Sequence, residues 1–269
     1  MPPPSARLDR AGASVLVYDE AGLAADAAAS MIADAARSAI AARGLAVLGL
    51  ATGSTPVPVY ARLVAMHRAG NLSFADVITY NLDEYYPISP ADPASYRAFM
   101  HGHLFAHVDI RPDRAHLPDG TVPEAFVADH AAAYERWMAA DGGVDLQLLG
   151  IGRNGHIAFN EPTDLPVAEA LRLPSRRVDL HPGTIAANAA DFGGDASLVP
   201  RRALTVGIAP ILAARSILVL AVGPSKATIV ARCLDGPITP SVPGSLLRHA
   251  AGPITWILDR PASEGLLRG

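Results

Sequence analysis

The chain has 269 residues, 50% of them hydrophobic, and a formal net charge of -4 with 18% charged residues. That apolar content excludes disorder over most of the length and suits one large α/β domain or two small ones. The charge balance, without any Lys/Arg run, excludes a nucleic-acid footprint, and a single cysteine, Cys233, excludes an internal disulfide or a thiolate metal cluster.

The opening residues, Met1-Pro2-Pro3-Pro4-Ser5-Ala6-Arg7, lack the apolar core of a signal peptide, and no later apolar run is long enough to span a bilayer. A soluble, cytoplasmic protein is expected. Residues 1–10 read as a flexible terminus ahead of one α/β domain over residues 11–269, with a lid-like insertion near 160–190. Continuous Val/Ile/Leu runs predict buried strands at 14–18, Ala46–Leu50, 77–80, Leu146–Leu149, 217–222 and 254–258. Helices are expected at 23–42, which is Ala-rich, at 56–67, which is amphipathic, and at 225–234, after a Gly-Pro-Ser turn. Cys233 falls in the last of these, beside Val230, Ala231 and Leu234, and reads as a packing residue. Apolar strands alternating with helices predict an open, mostly parallel sheet with helices on both faces, a modified Rossmann-like fold. Ligands bind such sheets beyond the carboxyl ends of the strands, so the loops leaving those ends are where function is to be sought.

The first such loop is Ala51-Thr52-Gly53-Ser54-Thr55-Pro56. Its glycine permits close approach, its hydroxyls donate, and the helix that follows offers free N–H groups, all of which suit phosphate. An ordinary capping turn is an equally good reading. In the second loop, Asn81-Leu82-Asp83-Glu84-Tyr85-Tyr86, adjacent carboxylates in extended chain point to opposite sides and should do different work. Asp83 is the candidate base; two solvated turn carboxylates are the bland alternative. The third loop runs from Gly150 to Pro162 and contains Gly152, Arg153, Asn154, Gly155, His156, Asn160 and Glu161. Its glycines clear space for a ligand, His156 brings an imidazole able to take and give a proton, and Glu161 is near enough to orient it. The spacing of those glycines does not fit a dinucleotide fingerprint. The fourth, Gly223-Pro224-Ser225-Lys226, sets a lysine against the helix dipole, which a bound anion would explain. His101, His103 and His107 invite a metal reading, but only the last two share a helix face and no Glu follows His103; no metal and no cofactor is expected.

Taken together, these loops and Ala203-Leu204-Thr205-Val206-Gly207-Ile208 resemble the signatures of the glucosamine-6-phosphate deaminase/isomerase family, in that family's order, from about residue 46 to 259. The resemblance implies a cofactor-free, hydrolase-type deaminase of amino sugar metabolism that turns glucosamine 6-phosphate into fructose 6-phosphate and ammonia through an enolamine. It implies that His156, oriented by Glu161 and Asn154, assists ring opening, and that Asp83 moves a proton between C2 and C1. Thr52, Gly53, Ser54, Thr55, Gly155 and Lys226 match positions that hold the sugar phosphate. The partner is then a small molecule, with neither nucleic acid nor membrane, and the protein a monomer or homo-oligomer. Two departures stand out. Asn154 replaces the Asp of some members, and the segment Ala187-Asn188-Ala189-Ala190-Asp191-Phe192 lacks the family's phosphate-binding arginine before Phe. Arg176, Arg201 or Arg202 would have to replace it from another direction. The stretch 161–184 matches poorly with the allosteric pocket of hexameric members, so no activation by an acetylated amino sugar phosphate is expected. Galactosamine 6-phosphate, 6-phosphogluconolactone and a non-enzymatic sugar-phosphate sensor are the alternatives; no helix-turn-helix segment is left over to serve the last.

Overall fold

The computed structural model describes residues 1–266. In chain order the elements are β1 (Ala6–Arg10), β2 (Ala13–Tyr18), α1 (Ala21–Arg43), β3 (Ala46–Leu50), α2 (Val57–Arg68), β4 (Val77–Asn81), β5 (Asp83–Tyr86), α3 (Tyr96–His103), β6 (Ala115–His116) and α4 (Val127–Ala140). There follow β7 (Leu146–Leu149), α5 (Val167–Ala170), β8 (Arg176–Asp179), α6 (Pro182–Asn188), β9 (Arg202–Thr205), α7 (Ile208–Leu212), β10 (Ile217–Ala221), α8 (Ala227–Leu234), β11 (Ile254–Asp259) and α9 (Arg260–Ser263).

Every residue of β3, β4, β7 and β10 is buried. Successive strand residues face opposite sides, so unbroken burial means that both faces of the sheet are covered. The large sheet runs β1-β2-β11-β10-β7-β3-β4-β6, and its neighbours are parallel except for β1 against β2. The Ala-rich face of α1, including Ala24, Ala28 and Ala36, is buried, which lets its backbone lie close over the strands. Gly44, at φ 82°, ends that helix in a left-handed cap, donating its N–H to the Ile40 carbonyl at 2.8 Å.

From β3 the chain passes through α2 to β4 on one side, whereas the chain leaving β7 eventually returns to β10 on the other. The order therefore reverses between β3 and β7, which opens a crevice at their carboxyl ends. A second, antiparallel sheet, β5-β9-β8, leans over this rim. Leu82 joins the two sheets: its N–H donates to the Leu50 carbonyl at 3.1 Å, and its own carbonyl accepts from the Val206 N–H at 2.7 Å.

The terminus expected to be flexible instead places Ala6–Arg10 in β1, where Ala6 pairs with Val17 and Arg10 with Ala13. The helix expected from residue 225 begins as a 3-10 turn, Pro224–Lys226, because Gly223 at φ 89° redirects the chain first. Cys233 is buried, and burial pushes its thiol up to about 12, which fits a packing role. Among the described residues no helix is long and apolar enough to cross a membrane.

Candidate active site

Three helix N-termini meet at one rim of the sheet: α1 after β2, α2 after β3 and α8 after β10. None of the three has a side-chain hydrogen bond at its N-cap, and none has an acid in its first turn. Glu20 stands at the N-cap of α1 and Asp259 accepts the Gly223 N–H at 2.9 Å ahead of α8, so it is the start of α2 that offers the most fully free N–H groups and partial positive charge. Between the three N-termini lies a cavity of about 380 Å³ whose wall includes Gly22, Ser54, Thr55, Arg153, Ser225 and Lys226, and no carboxylate. Lys226 donates from Nζ to the Ile151 carbonyl at 2.7 Å; burial, then the Arg153 charge, pulls its pKa below the usual lysine range. Such a wall is chemically an anion cradle. Ser54, Thr55 and Lys226 of the expected contact set belong to it. Thr52, Gly53 and Gly155 lie outside the wall. Gly53, at φ 95°, makes the turn possible, Thr52 hydrogen-bonds the Tyr96 hydroxyl, and Gly155 packs behind its loop, where a Cβ would meet Val242 and Ile229 at 3.0 and 3.1 Å.

The two adjacent carboxylates have separate environments. Glu84 accepts from the N–H groups of Tyr96 at 2.8 Å, Tyr85 at 3.0 Å and Arg97 at 3.0 Å, so it pins the start of α3. Burial raises its pKa against the pull of those bonds. Asp83 is 7% exposed and accepts no hydrogen bond from a described residue. Burial, then the neighbouring Glu84 charge, pushes its carboxyl up to about 8. Its charge is felt by the hydroxyls of Tyr60, Tyr85, Tyr96 and Tyr134, each of which burial already pushes above the usual tyrosine range. A secluded, unpartnered carboxyl tuned toward neutrality is poised for proton transfer.

The third loop holds its histidine from several sides. His156 Nδ1 lies 3.3 Å from Glu161 Oε2, the same oxygen that accepts from Asn154 Nδ2 at 2.7 Å. Asn154 Oδ1 in turn accepts the His156 N–H at 3.1 Å, and Thr184 Oγ1 donates to the other Glu161 oxygen. Burial would raise the Glu161 pKa, but the His156 hydrogen bond and charge, with Thr184 and Asn154, outweigh it and hold the carboxyl at about 2. An ionised Glu161 thus fixes the ring and directs Nε2 away from itself. Asn160, buried, anchors the loop by donating to the carbonyls of Ile157 at 3.0 Å and Val206 at 2.9 Å. Gly152 has no room for a side chain, since a Cβ there would sit 2.4 to 2.6 Å from the imidazole. Gly152→Ala is therefore expected to keep the fold, because the ring can swing aside, and to lose most of the turnover; equal melting temperatures with unchanged activity would contradict this placement.

β7, β3 and β4 are successive neighbours, so the roots of the His156 loop, the cradle loop and the Asp83 segment lie within about 10 Å on one rim. The arginines expected to replace the missing lid cation are engaged elsewhere, which corrects that expectation for two of them. Arg176 donates to Asn160 Oδ1 at 2.9 Å, and Arg202 pairs with Glu124 at 3.4 Å and lies over the Tyr86 ring. The arginine found in the cradle wall, beside Lys226, is Arg153, which belongs to the His156 loop. The α1 N-terminus is not legible in sequence, as Asp19-Glu20-Ala21-Gly22 carries no phosphate-loop signal. Asn188, from the segment lacking arginine, donates to the Tyr85 hydroxyl at 2.8 Å, and Tyr85 bonds Tyr96, which reaches Thr52. Among the described residues no group of three or more His, Cys, Asp or Glu is placed to hold a metal.

Residues 19–256 match the profile of the family described as glucosamine-6-phosphate isomerases/6-phosphogluconolactonase. Glucosamine-6-phosphate deaminase 2 of Bacillus subtilis (strain 168) is 45% identical over 222 residues, 82% of this chain and 86% of the relative. The glucosamine-6-phosphate deaminase of Rhodopirellula baltica is 48% identical over 218 residues, 81% of this chain and 83% of its own. A solved monomeric glucosamine-6-phosphate deaminase superposes with a TM-score of 0.85 at 37% identity, covering 93% of this chain and 99% of that one. The 6-phosphogluconolactonase of Trypanosoma brucei, at TM-score 0.72 and 19% identity over 94% of this chain and 98% of its own, shares the fold alone.

Proposed function

Because this chain belongs to the family of glucosamine-6-phosphate isomerases and 6-phosphogluconolactonases, we propose that it converts glucosamine 6-phosphate and water into fructose 6-phosphate and ammonia. The observation that carries this reading is the secluded Asp83 carboxyl, held near pKa 8 on the same rim as an anion cradle. The relatives' activity supports the same choice.

In this reading the phosphate sits among Ser54, Thr55 and Lys226, with Thr52, Gly53 and Gly155 shaping the loops around it. The sugar ring then extends toward residues 83 and 156. His156 accepts the proton of the C1 hydroxyl and returns one to the ring oxygen, so the C1–O5 bond breaks and an open-chain aldehyde forms. Glu161 steadies the imidazole through this exchange, and Asn154 steadies Glu161. Asp83 takes the C2 proton while the C2 ammonium passes one of its own to O1, leaving a C1–C2 enolamine, and Asp83 then gives its proton back at C1. The resulting C2 imine adds water and expels ammonia, so one water enters for each ammonia released. Positioned acid–base groups of this kind contribute ~10²–10⁴-fold each. The segment 160–190, which carries Asn188 on α6, serves as a lid over the open-chain intermediate.

The test is direct. Purified protein given glucosamine 6-phosphate should release ammonia and fructose 6-phosphate in equal amounts, with galactosamine 6-phosphate and 6-phosphogluconolactone assayed in parallel. Lactone hydrolysis without ammonia release would overturn the assignment, and faster turnover of the galacto substrate would replace the sugar but keep the chemistry.

A further inference from the structure

Arg153 is exposed and sits in the wall of the anion cradle. Neither an ion pair nor a side-chain hydrogen bond ties it to another described residue, whereas Arg176 and Arg202 are both tied. Its electrostatic neighbour in that wall is Lys226, another cation. Two like charges facing one cavity repel, and folding them there without a carboxylate between them is unfavourable unless an anion normally occupies the gap. The N-terminus of α2, with neither a side-chain cap bond nor an acid in its first turn, adds positive potential of the same sign. A planar guanidinium also offers two parallel donors to a phosphate, a geometry that a lysine does not match.

We propose that Arg153 is the second cation of the phosphate subsite, gripping the phosphate from the side opposite Lys226 and so replacing the cation that Ala190 does not supply. The contact comes from the loop that also carries His156 and needs no closure of the 160–190 segment. Arg153 acts on the phosphate and not on the reacting carbons, so its share of binding should be equal in the ground and transition states. The inference rests on the cradle being a sugar-phosphate site, but not on which reaction follows.

The experiment compares Arg153→Gln and Arg153→Lys with the parent protein. Calorimetry would measure binding of inorganic phosphate and of fructose 6-phosphate, and steady-state assays would give KM and kcat for glucosamine 6-phosphate. Arg153→Gln should weaken both ligands and raise KM by ~10–10²-fold, the range of a charge-assisted hydrogen bond, with kcat within ~3-fold. Arg153→Lys should recover part of the loss. With the repulsion gone, the alkaline limb of phosphate binding, set by Lys226, should move to higher pH in Arg153→Gln. Unchanged KM and phosphate affinity in Arg153→Gln would overturn the proposal. Parent protein that binds fructose 6-phosphate through Arg153 yet releases no ammonia would refute the reaction and keep the subsite; parent protein that binds neither ligand would refute both.

Discussion

Asp83→Asn is expected to cut ammonia release by ~10²–10⁴-fold or more while leaving the affinity for fructose 6-phosphate within a few-fold of the parent. The amide keeps the shape of the side chain but can neither take the C2 proton nor return it. The same substitution should stabilise the protein at alkaline pH, and the sign follows from burial. A carboxyl raised to about 8 in the fold, from ~3.9 when unfolded, favours folding while both states are protonated and penalises it as the pH rises. The melting-temperature gain of the variant should therefore be near zero at pH 4, grow toward pH 8 and level off above it. In the parent, kcat/KM should climb with pH toward a limb near 8, since the free enzyme must ionise this group before it can act as a base. Normal turnover in Asp83→Asn, or a gain in stability that does not depend on pH, would contradict the role given to this side chain.

His156→Gln is the second large effect. Ring opening would lose its proton carrier, and kcat should fall by ~10²–10⁴-fold with little change in KM, because the phosphate contacts are untouched. A second consequence falls on Glu161. That carboxyl is held at about 2 in the fold mainly by its bond to His156 and the imidazole charge, working against burial. A depressed carboxyl contributes stability above its unfolded value of ~4.3 and loses it as the pH falls toward the folded value. Removing His156 should thus lower the melting temperature near pH 6 and matter progressively less toward pH 2. A variant with parental kcat, measured by coupled detection of ammonia, would exclude His156 from the chemistry.

The large parallel sheet was legible because its strands are short, continuous apolar runs such as Ala46–Leu50 and Leu146–Leu149, a pattern that only two covered faces require. The second sheet was not. Asp83–Tyr86 opens on two carboxylates yet is buried throughout, Arg176–Asp179 is charged and only partly buried, and both are strands only because β9 lies between them. A similar limit applied to the site. Asn154, His156 and Glu161 lie within one loop, so their mutual contacts follow from proximity in the chain, whereas Thr184, which grips the other Glu161 oxygen, joins only through the fold. Glu84 was separable from Asp83 by strand alternation, but its task as the anchor of α3 depends on the N–H groups of Tyr96 and Arg97. Arg153 and the N-terminus of α1 are illegible in sequence for the same reason, since neither forms a pattern until β7, β2 and β10 bring them to the cavity holding Lys226.

In the proposed reaction one molecule, anchored by its phosphate in the cradle, presents its C1–C2 bond to residue 83 and its ring oxygen to His156. The most direct measurement is a crystal structure of the Asp83→Asn protein soaked with glucosamine 6-phosphate. The predicted density puts the phosphate against Ser54, Thr55 and Lys226, C2 within contact of the residue 83 side chain, and O5 or O1 within hydrogen-bond reach of the imidazole. A sugar phosphate bound elsewhere on the sheet, or in the cradle with its C1–C2 bond turned away from residue 83, would contradict it.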